Sequence, residues 1–599
     1  MFPSLRPTTS SPTSPGLRRL VSPWTFLRDA LLAAASGLGI ALAFPPVEQP
    51  WLAWFALLPL LLVPVPAPFG RRLLLGLLFG FALFVPNLWW LNTIGFAAGF
   101  LLALYCLLYP AAWYLLAGAA VRRLAHRCGV RTPAGAVGAV RLADLPSGAQ
   151  CLLTLLLPAA WVAQEWIRGW LFTGFSWNQL GISQWAQPNL LPLATVTGVY
   201  GLSFLIVAVN VALAAALPGL LRRRRCCSLA GTGQVAGAES ATGHGKRSGI
   251  AWPLPLAVAL FLPVLALRWG QKPLPPPDGT LRVLAVQGCM ELCREWTAEQ
   301  LERSLAIYTG LSREGGRQAP RPDLVVWPET AVPAAARFER RYGEALRALF
   351  AELGVPLLVG TIDYRPELAP GDPEPPMYNS ALLFDGGGRL VQFYDKVHRV
   401  PFGEFTPFGR QLPWLVEWIG MGRDLAPGRE FTLFRLPRGV RAGTMICYED
   451  AFPHLAREFV RRGAGLLVTL TNDAWYAESA GARQHLLHAV FRAVEQRRPL
   501  LRSGNNSDTA LVGPDGRVSG LLRDPASGNP FYRGGRLYAV PVWRNLPRTW
   551  YSLHGDVFAG GCAGLTVAAG AGLLVAALRE RARRLDMAET AAPPPPLEN

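Results

Sequence analysis

The chain has 599 residues, too many for one ordinary domain. Half of them are hydrophobic and only 16% are charged, which argues against a wholly water-soluble protein and for membrane segments. A net charge of +18 could point to nucleic acid, but where the charge sits matters more than its sum. Nine cysteines without regular spacing make neither a disulfide framework nor a paired zinc pattern, and whether Cys289 and Cys293 form a local bridge stays open. Lysine occurs only at positions 246, 272 and 396; every other basic side chain is arginine.

Residues 1–23 read as a flexible basic leader rich in Ser, Thr and Pro. Apolar runs long enough to cross a bilayer follow near 26–44, 51–68, 73–92, 97–121, 150–168, 191–220 and 251–269, with an eighth near 554–578. Ala41-Leu42-Ala43 resembles a signal cleavage site. The adjoining Phe44-Pro45-Pro46 and the second apolar run instead read as a tight turn between two spans. The expected organisation is a seven-helix membrane region over 24–272 with a flexible cytoplasmic linker at 226–250. A globular domain over 273–550, a last span over 551–580 and a disordered cytoplasmic tail over 581–599 complete it.

Charge in the loops tests this division. Arg71 and Arg72 lie between the second and third spans; Arg122, Arg123, Arg127 and Arg131 between the fourth and fifth; Arg222–Arg225 with Lys246 and Arg247 between the sixth and seventh. Arg579, Arg581, Arg583 and Arg584 follow the last. The alternate short loops, 46–50 and 93–96, carry no Lys or Arg. The alternation predicts both termini in the cytoplasm and the large domain on the opposite side, and it accounts for much of the basic charge without nucleic acid.

The outer loop 170–185 is aromatic and nearly uncharged. It reads either as an interfacial aromatic belt or as a surface that meets lipid chains beside the outer domain. Glu165 and Arg168, three residues apart on one helix face, predict an ion pair.

From residue 280 strands alternate with helices. Strands are expected at 281–286, 323–327, 355–362, 379–384, 390–394, 440–446 and 465–471, and Asp385-Gly386-Gly387-Gly388 marks a hairpin. Helices are expected at 298–312, 333–353 and 453–462. This is an α/β domain in packed layers. Three residues of complementary chemistry stand just after strands: Glu329, Lys396 and Cys447. Each has an ordinary explanation: a solvated carboxylate, a surface cation, and a cysteine packed as a small hydrophobe. A lysine in a chain that otherwise uses arginine, set in an apolar Pro/Gly-rich run, weighs against that for Lys396, because a compact ammonium makes a point-charge contact a guanidinium does not reproduce.

Trp327-Pro328-Glu329, the run from Tyr394-Asp395-Lys396 through Pro401-Phe402-Gly403-Glu404, and Cys447-Tyr448-Glu449-Asp450 together resemble the Glu-Lys-Cys signatures of the nitrilase (carbon–nitrogen hydrolase) superfamily. With the multi-span region, about 30–580 resembles the apolipoprotein N-acyltransferase family within it, through Phe44-Pro45-Pro46, Thr173–Trp177 and Gly198–Phe204 as well. The resemblance implies about eight transmembrane helices plus an extracytoplasmic α-β-β-α sandwich. It assigns Cys447 as nucleophile, Glu329 as general base and Lys396 as electrostatic stabiliser, and implicates Glu404, Tyr448, Glu449 and, by weaker alignment, Trp296. A thiol needs a base or a nearby cation to become a thiolate, which suits those roles.

The activity implied is transfer of an acyl group from a membrane phospholipid to the N-terminal amine of a diacylglyceryl-modified apolipoprotein, through a thioester. The expected setting is a monomer in the bacterial inner membrane, with its catalytic domain periplasmic and with no cofactor, metal or nucleic acid. The chain departs from the family pattern at Arg399, at Tyr476-Ala477 and at Ser507. His485 and His488 share a helix face, but no ligand cluster accompanies them and no metal role is expected. A membrane-tethered amidase and a transporter with a retired enzyme domain are the alternatives. Against the first stand the aromatic loop and the number of spans; against the second stands the intact set of Glu329, Lys396 and Cys447.

Overall fold

Proline placement decides which apolar runs become long helices. A computed structural model describes residues 23–95, 97–130, 139–230, 253–270, 273–292, 297–332, 340–372, 374–419 and 423–590. The leader up to residue 22, linker residues 231–250, Cys293, Trp296 and tail residues 591–599 lie outside the described residues; helix instead runs through 226–230 and 581–590, where the sequence predicts linker and disordered tail. Among the described residues, four helical segments are long and apolar enough to cross a membrane: Phe69–Thr93, Ala98–Arg127, Tyr200–Gly219 and Val557–Arg583. Two other expected spans are helices of 19 and 22 residues, Pro23–Ala41 and Ser147–Arg168.

The second and seventh expected spans are broken instead. Pro50 and Pro59 open two short helices, Pro50–Trp54 and Leu58–Leu62, as suits a residue with no N–H to give a preceding turn. The seventh divides into Pro253–Ala259 and Leu262–Gly270. Close helix approach relies on small residues. A Cβ at Gly37 would lie 2.2 Å from the Phe79 carbonyl oxygen of the neighbouring helix. The Val557–Arg583 helix leaves Leu565, Val567, Leu574 and Leu578 exposed, an outer apolar surface suited to lipid.

The described residues of the remaining half contain twelve strands: β1 (Gly279–Gln287), β2 (Leu324–Val332), β3 (Leu357–Tyr364), β4 (Met377–Phe384), β5 (Leu390–Asp395), β6 (Leu433–Arg435), β7 (Arg441–Ile446), β8 (Leu466–Asn472), β9 (Leu500–Asn505), β10 (Ala510–Val512), β11 (Val518–Ser519) and β12 (Gly534–Val542). They make two six-stranded sheets, ordered β12-β1-β2-β3-β4-β5 and β11-β10-β9-β8-β7-β6. β1, β2 and β3 are parallel neighbours, as are β7, β8 and β9, and antiparallel strands flank each set.

Strand alternation builds the layers. On β1, Leu281, Val283 and Ala285 pack with Ala442, Ile446 and Leu467 of the other sheet, forming the shared core. Leu284 and Val286 face the other way, onto the helices Ala298–Gly316 and Arg340–Leu353 through Tyr308, Leu346 and Phe350. The helices Pro453–Arg461 and Ala480–Gln496 cover the second sheet through Phe459, Leu486 and Val490. The result is an α-β-β-α sandwich.

Candidate active site

Lys396 and Cys447 stand just past the carboxyl ends of β5 and β7, Glu329 lies in the carboxyl half of β2, and the two facing sheets bring the three together. Glu329 sits where the pairing of β2 with β3 shifts register between Trp327 and Val332, a bulge that re-aims a side chain. Cys447 opens a short turn, Cys447–Ala451, with φ +53, a left-handed conformation uncommon outside glycine.

The Glu329 carboxylate is buried and accepts from the Asn379 side-chain amide at 2.7 Å and from the Asn472 backbone N–H at 2.8 Å. The same Asn379 amide donates to Glu404 at 2.8 Å, so one side chain ties both carboxylates. Lys396, 1% exposed, places Nζ 2.9 Å from Glu404 and 3.7 Å from Glu329. An ammonium has three N–H donors, so capacity remains for a substrate oxygen. Glu404 also accepts from the Val400 N–H at 2.7 Å, closing the loop that carries the lysine.

Burial drives the electrostatics. It pushes the Cys447 thiol well above its usual range, and the Glu329 charge adds to this while Lys396 opposes it. Burial also raises Glu329, against the pull of Lys396. For Lys396 burial works downward, but the Glu404 and Glu329 carboxylates outweigh it and hold the ammonium charged. Burial thus favours a neutral thiol at Cys447 in the same site as the Glu329 carboxyl and the charged Lys396 ammonium.

Glu449 is fully buried and joins two loops. Its carboxylate accepts from the Val397 and His398 N–H groups at 2.8 and 3.0 Å, from the Ile446 N–H at 2.8 Å, and from the Tyr394 hydroxyl. The residues just after Lys396 and just before Cys447 thus hang on one buried anion. Tyr448 turns toward the membrane half: its hydroxyl donates to the Gly174 carbonyl at 3.2 Å and its ring stacks on Trp177, centroids 6.3 Å apart.

The aromatic loop is split in use. Trp177 is buried among Trp90, Tyr448 and His488, whereas Trp170 and Phe172 stay exposed. Glu165 and Arg168 shape this loop instead of bonding to each other. Glu165 accepts from the Leu180 N–H and the Trp161 indole, both at 2.7 Å, and Arg168 donates to the Phe175 and Trp177 carbonyls at 3.0 and 2.6 Å.

Sequence reading missed Asn379, Asn472, Asp473 and Arg502. Asn472-Asp473 directly after the apolar strand 465–471 carried the same strand-end signal as Cys447; Asn379 and Arg502 lie within strands and carried none. The departures from the family pattern are absorbed locally. Arg399 stacks over Phe405 at 4.1 Å and donates to the Leu425 carbonyl at 2.6 Å; Ser507 donates to Asp473; Tyr476 meets Trp90 edge to face at 4.5 Å.

Residues 36–212 match the apolipoprotein N-acyltransferase N-terminal domain family, and residues 282–527 match the carbon-nitrogen hydrolase family. A protein from Geobacter metallireducens named apolipoprotein N-acyltransferase is 32% identical, covering 90% of this chain and 95% of its own. Proteins of the same name from Brucella suis and Azotobacter vinelandii are 31% and 36% identical, over 85% and 61% of this chain and 90% and 64% of theirs. Among solved structures, an amidase of the nitrilase superfamily from Nesterenkonia AN1 is 18% identical, covering 45% of this chain and 94% of that one, with a TM-score of 0.33. By sequence likeness along most of its length, the chain belongs to the apolipoprotein N-acyltransferase family.

Proposed function

We propose that this protein transfers a fatty acyl group from a membrane phospholipid to the free α-amine of the diacylglyceryl cysteine that begins an apolipoprotein, through a thioester on Cys447. The observation that carries this reading is the convergence of Glu329, Lys396 and Cys447 in one buried site whose next residue, Tyr448, packs on the membrane half.

In the first half-reaction Glu329 takes the thiol proton as Sγ attacks the ester carbonyl carbon. Lys396 stabilises the oxyanion of the tetrahedral intermediate. The ester C–O bond then breaks, Glu329 returns the proton to the departing glycerol oxygen, and lysophospholipid leaves. In the second half-reaction the neutral amine attacks the thioester carbonyl and Glu329 takes a proton from nitrogen. The C–S bond breaks as the amide forms, and Glu329 protonates the departing sulfur.

The loop-charge alternation supports a catalytic domain over 273–550 on the non-cytoplasmic face, with both termini cytoplasmic. A thioester that met water freely would make the enzyme a lipase. Phe402, Phe408 and Trp414, exposed on the loop after Lys396, make 402–430 the segment suited to cover it. Trp296, placed by resemblance near the lipid entrance, belongs to this reading as a substrate contact. The test is intact-protein mass spectrometry after incubation with phospholipid. One acyl group should appear on the wild type and none on Cys447→Ala; an unmodified wild type refutes the proposal.

A further inference from the structure

Beside Cys447 lies a second buried cluster that the mechanism does not use: Asp450, Asp473, His485 and Arg502, all with side chains closed to solvent. His485 comes from the second turn of the helix Ala480–Gln496. Its Nδ1 lies 2.9 Å from Asp473 Oδ1, and its Nε2 lies 3.2 Å from the Cys447 carbonyl oxygen. Asp450 Oδ1 lies 2.9 Å from the same Nε2, a second acceptor beside the Cys447 carbonyl. Arg502 reaches the other oxygens of Asp450 and Asp473 at 3.0 and 2.6 Å.

This geometry fixes the protonation state. Carboxylate and carbonyl oxygens only accept, so both ring nitrogens donate and the ring is an imidazolium. Two cations then balance two anions in a dry interior. Burial works against the imidazolium, but Asp450 and Asp473 outweigh it and raise His485 to about 9.

The nucleophile needs such a support. A non-glycine residue held at positive φ persists only where its surroundings over-determine it. Glu449 grips the chain before Cys447, through the Ile446 N–H. The carbonyl of Cys447 itself faces its own turn, Cys447–Ala451, and the Nε2 of His485. The helix turn that carries His485 is in addition anchored in the membrane half. Gln484 accepts from the Trp90 and Trp177 indoles at 3.1 and 2.8 Å and donates to the Pro45 and Asn87 carbonyls at 2.9 and 3.3 Å.

We propose that His485 is a positioning residue for acyl transfer: its Nε2–H holds the Cys447 carbonyl, and with it the thiol, in the left-handed conformation that faces Glu329 and Lys396. The proposal rests on the reading of Cys447 as nucleophile. Because Gln484 secures the same turn, docking of the catalytic domain on the membrane half and the setting of the nucleophile are one event.

The amide chemistry of Asn and Gln separates this role from mere charge balance. Glutamine at 485 places its amide nitrogen where Nε2 was, and asparagine places its own where Nδ1 was, while both remove the same charge. The full-length protein in detergent is compared as wild type, His485→Gln, His485→Asn and His485→Phe. One readout is the rate of Cys447 alkylation by iodoacetamide, followed by mass spectrometry; the other is kcat and KM with phospholipid and a diacylglyceryl peptide. The Gln variant should stay within about fivefold of wild type, while Asn and Phe fall about 10²-fold in alkylation rate and kcat with KM little changed.

Equal behaviour of Gln and Asn assigns His485 to charge balance and overturns the proposal. A loss confined to KM overturns it too, as does failure of Asn and Phe to yield folded protein. A wild type that alkylates at Cys447 but forms no thioester refutes the transferase reading alone, and leaves the alkylation series to decide on His485.

Discussion

Replacing Lys396 by methionine removes the cation between the buried Glu329 and the partly buried Glu404 carboxylates while keeping most of the side-chain volume. Its Nζ sits 2.9 Å from Glu404 and 3.7 Å from Glu329, and both carboxylates are bridged by Asn379. A unit-charge pair near 4 Å is worth about 4 kcal/mol at an effective dielectric of about 20. Breaking a buried pair by deleting one partner costs a similar amount, about 3–5 kcal/mol. The carboxylates avoid that cost by keeping a proton, and a Glu329 that keeps its proton cannot take one from Cys447. The expected loss is about 10³-fold in acyl-enzyme formation at neutral pH, since every 1.4 kcal/mol is tenfold. Rapid quench with mass-spectrometric detection of the acyl adduct, run from pH 6 to 10, measures it. The residual rate should recover toward alkaline pH as Glu329 ionises. A Lys396→Met profile parallel to wild type and within about tenfold of it would refute the electrostatic argument.

Burial, the largest influence on Glu449, lifts its carboxyl from 4.5 to about 7. Folded protein therefore binds the extra proton between those values, and stability falls as pH rises through that window and levels off above about 7. Glu449→Gln should remove this slope in thermal melts at pH 5 and 8. It should also slow acylation, because the amide cannot accept from Val397, His398 and Ile446 together. Gln484→Leu strands two indole donors and two carbonyls between the halves, and should lower stability by about 2–4 kcal/mol in denaturant or thermal unfolding. Tyr448→Phe loses only the bond to Gly174 and should cost about 1 kcal/mol, whereas Tyr448→Ala also loses the packing on Trp177 and should cost about 3–5 kcal/mol. Similar melting curves for the two Tyr448 variants would show that the ring contributes little there.

Local patterning made part of this site legible. Glu329, Lys396 and Cys447 each follow a short apolar run, and such runs in an α/β chain end at the carboxyl edge of a sheet, where side chains can converge. Most of the strands and helices after residue 280 lie within a few residues of where alternation and turn residues place them. The Asp450–Asp473–His485–Arg502 cluster was not legible, because its members come from four elements and each alone reads as an ordinary surface charge. Hydropathy windows also count residues without asking whether the backbone continues. The runs at 51–68 and 251–269 are apolar enough for spans, yet proline and turn geometry divide both into short helices. The Glu165–Arg168 spacing correctly placed both on one side of their helix. What spacing could not show is that the aromatic loop supplies better partners, a backbone N–H for the carboxylate and two carbonyls for the guanidinium.

The central claim is that the acyl group on Cys447 passes to an amine and not to water. The most direct measurement isolates the acyl-enzyme, adds a diacylglyceryl peptide with a free N-terminus, and follows both the thioester and the peptide by mass spectrometry. The account predicts that the thioester persists alone and that adding peptide discharges it with one-for-one formation of the N-acyl product. Discharge to free fatty acid at the same rate with or without peptide would contradict it.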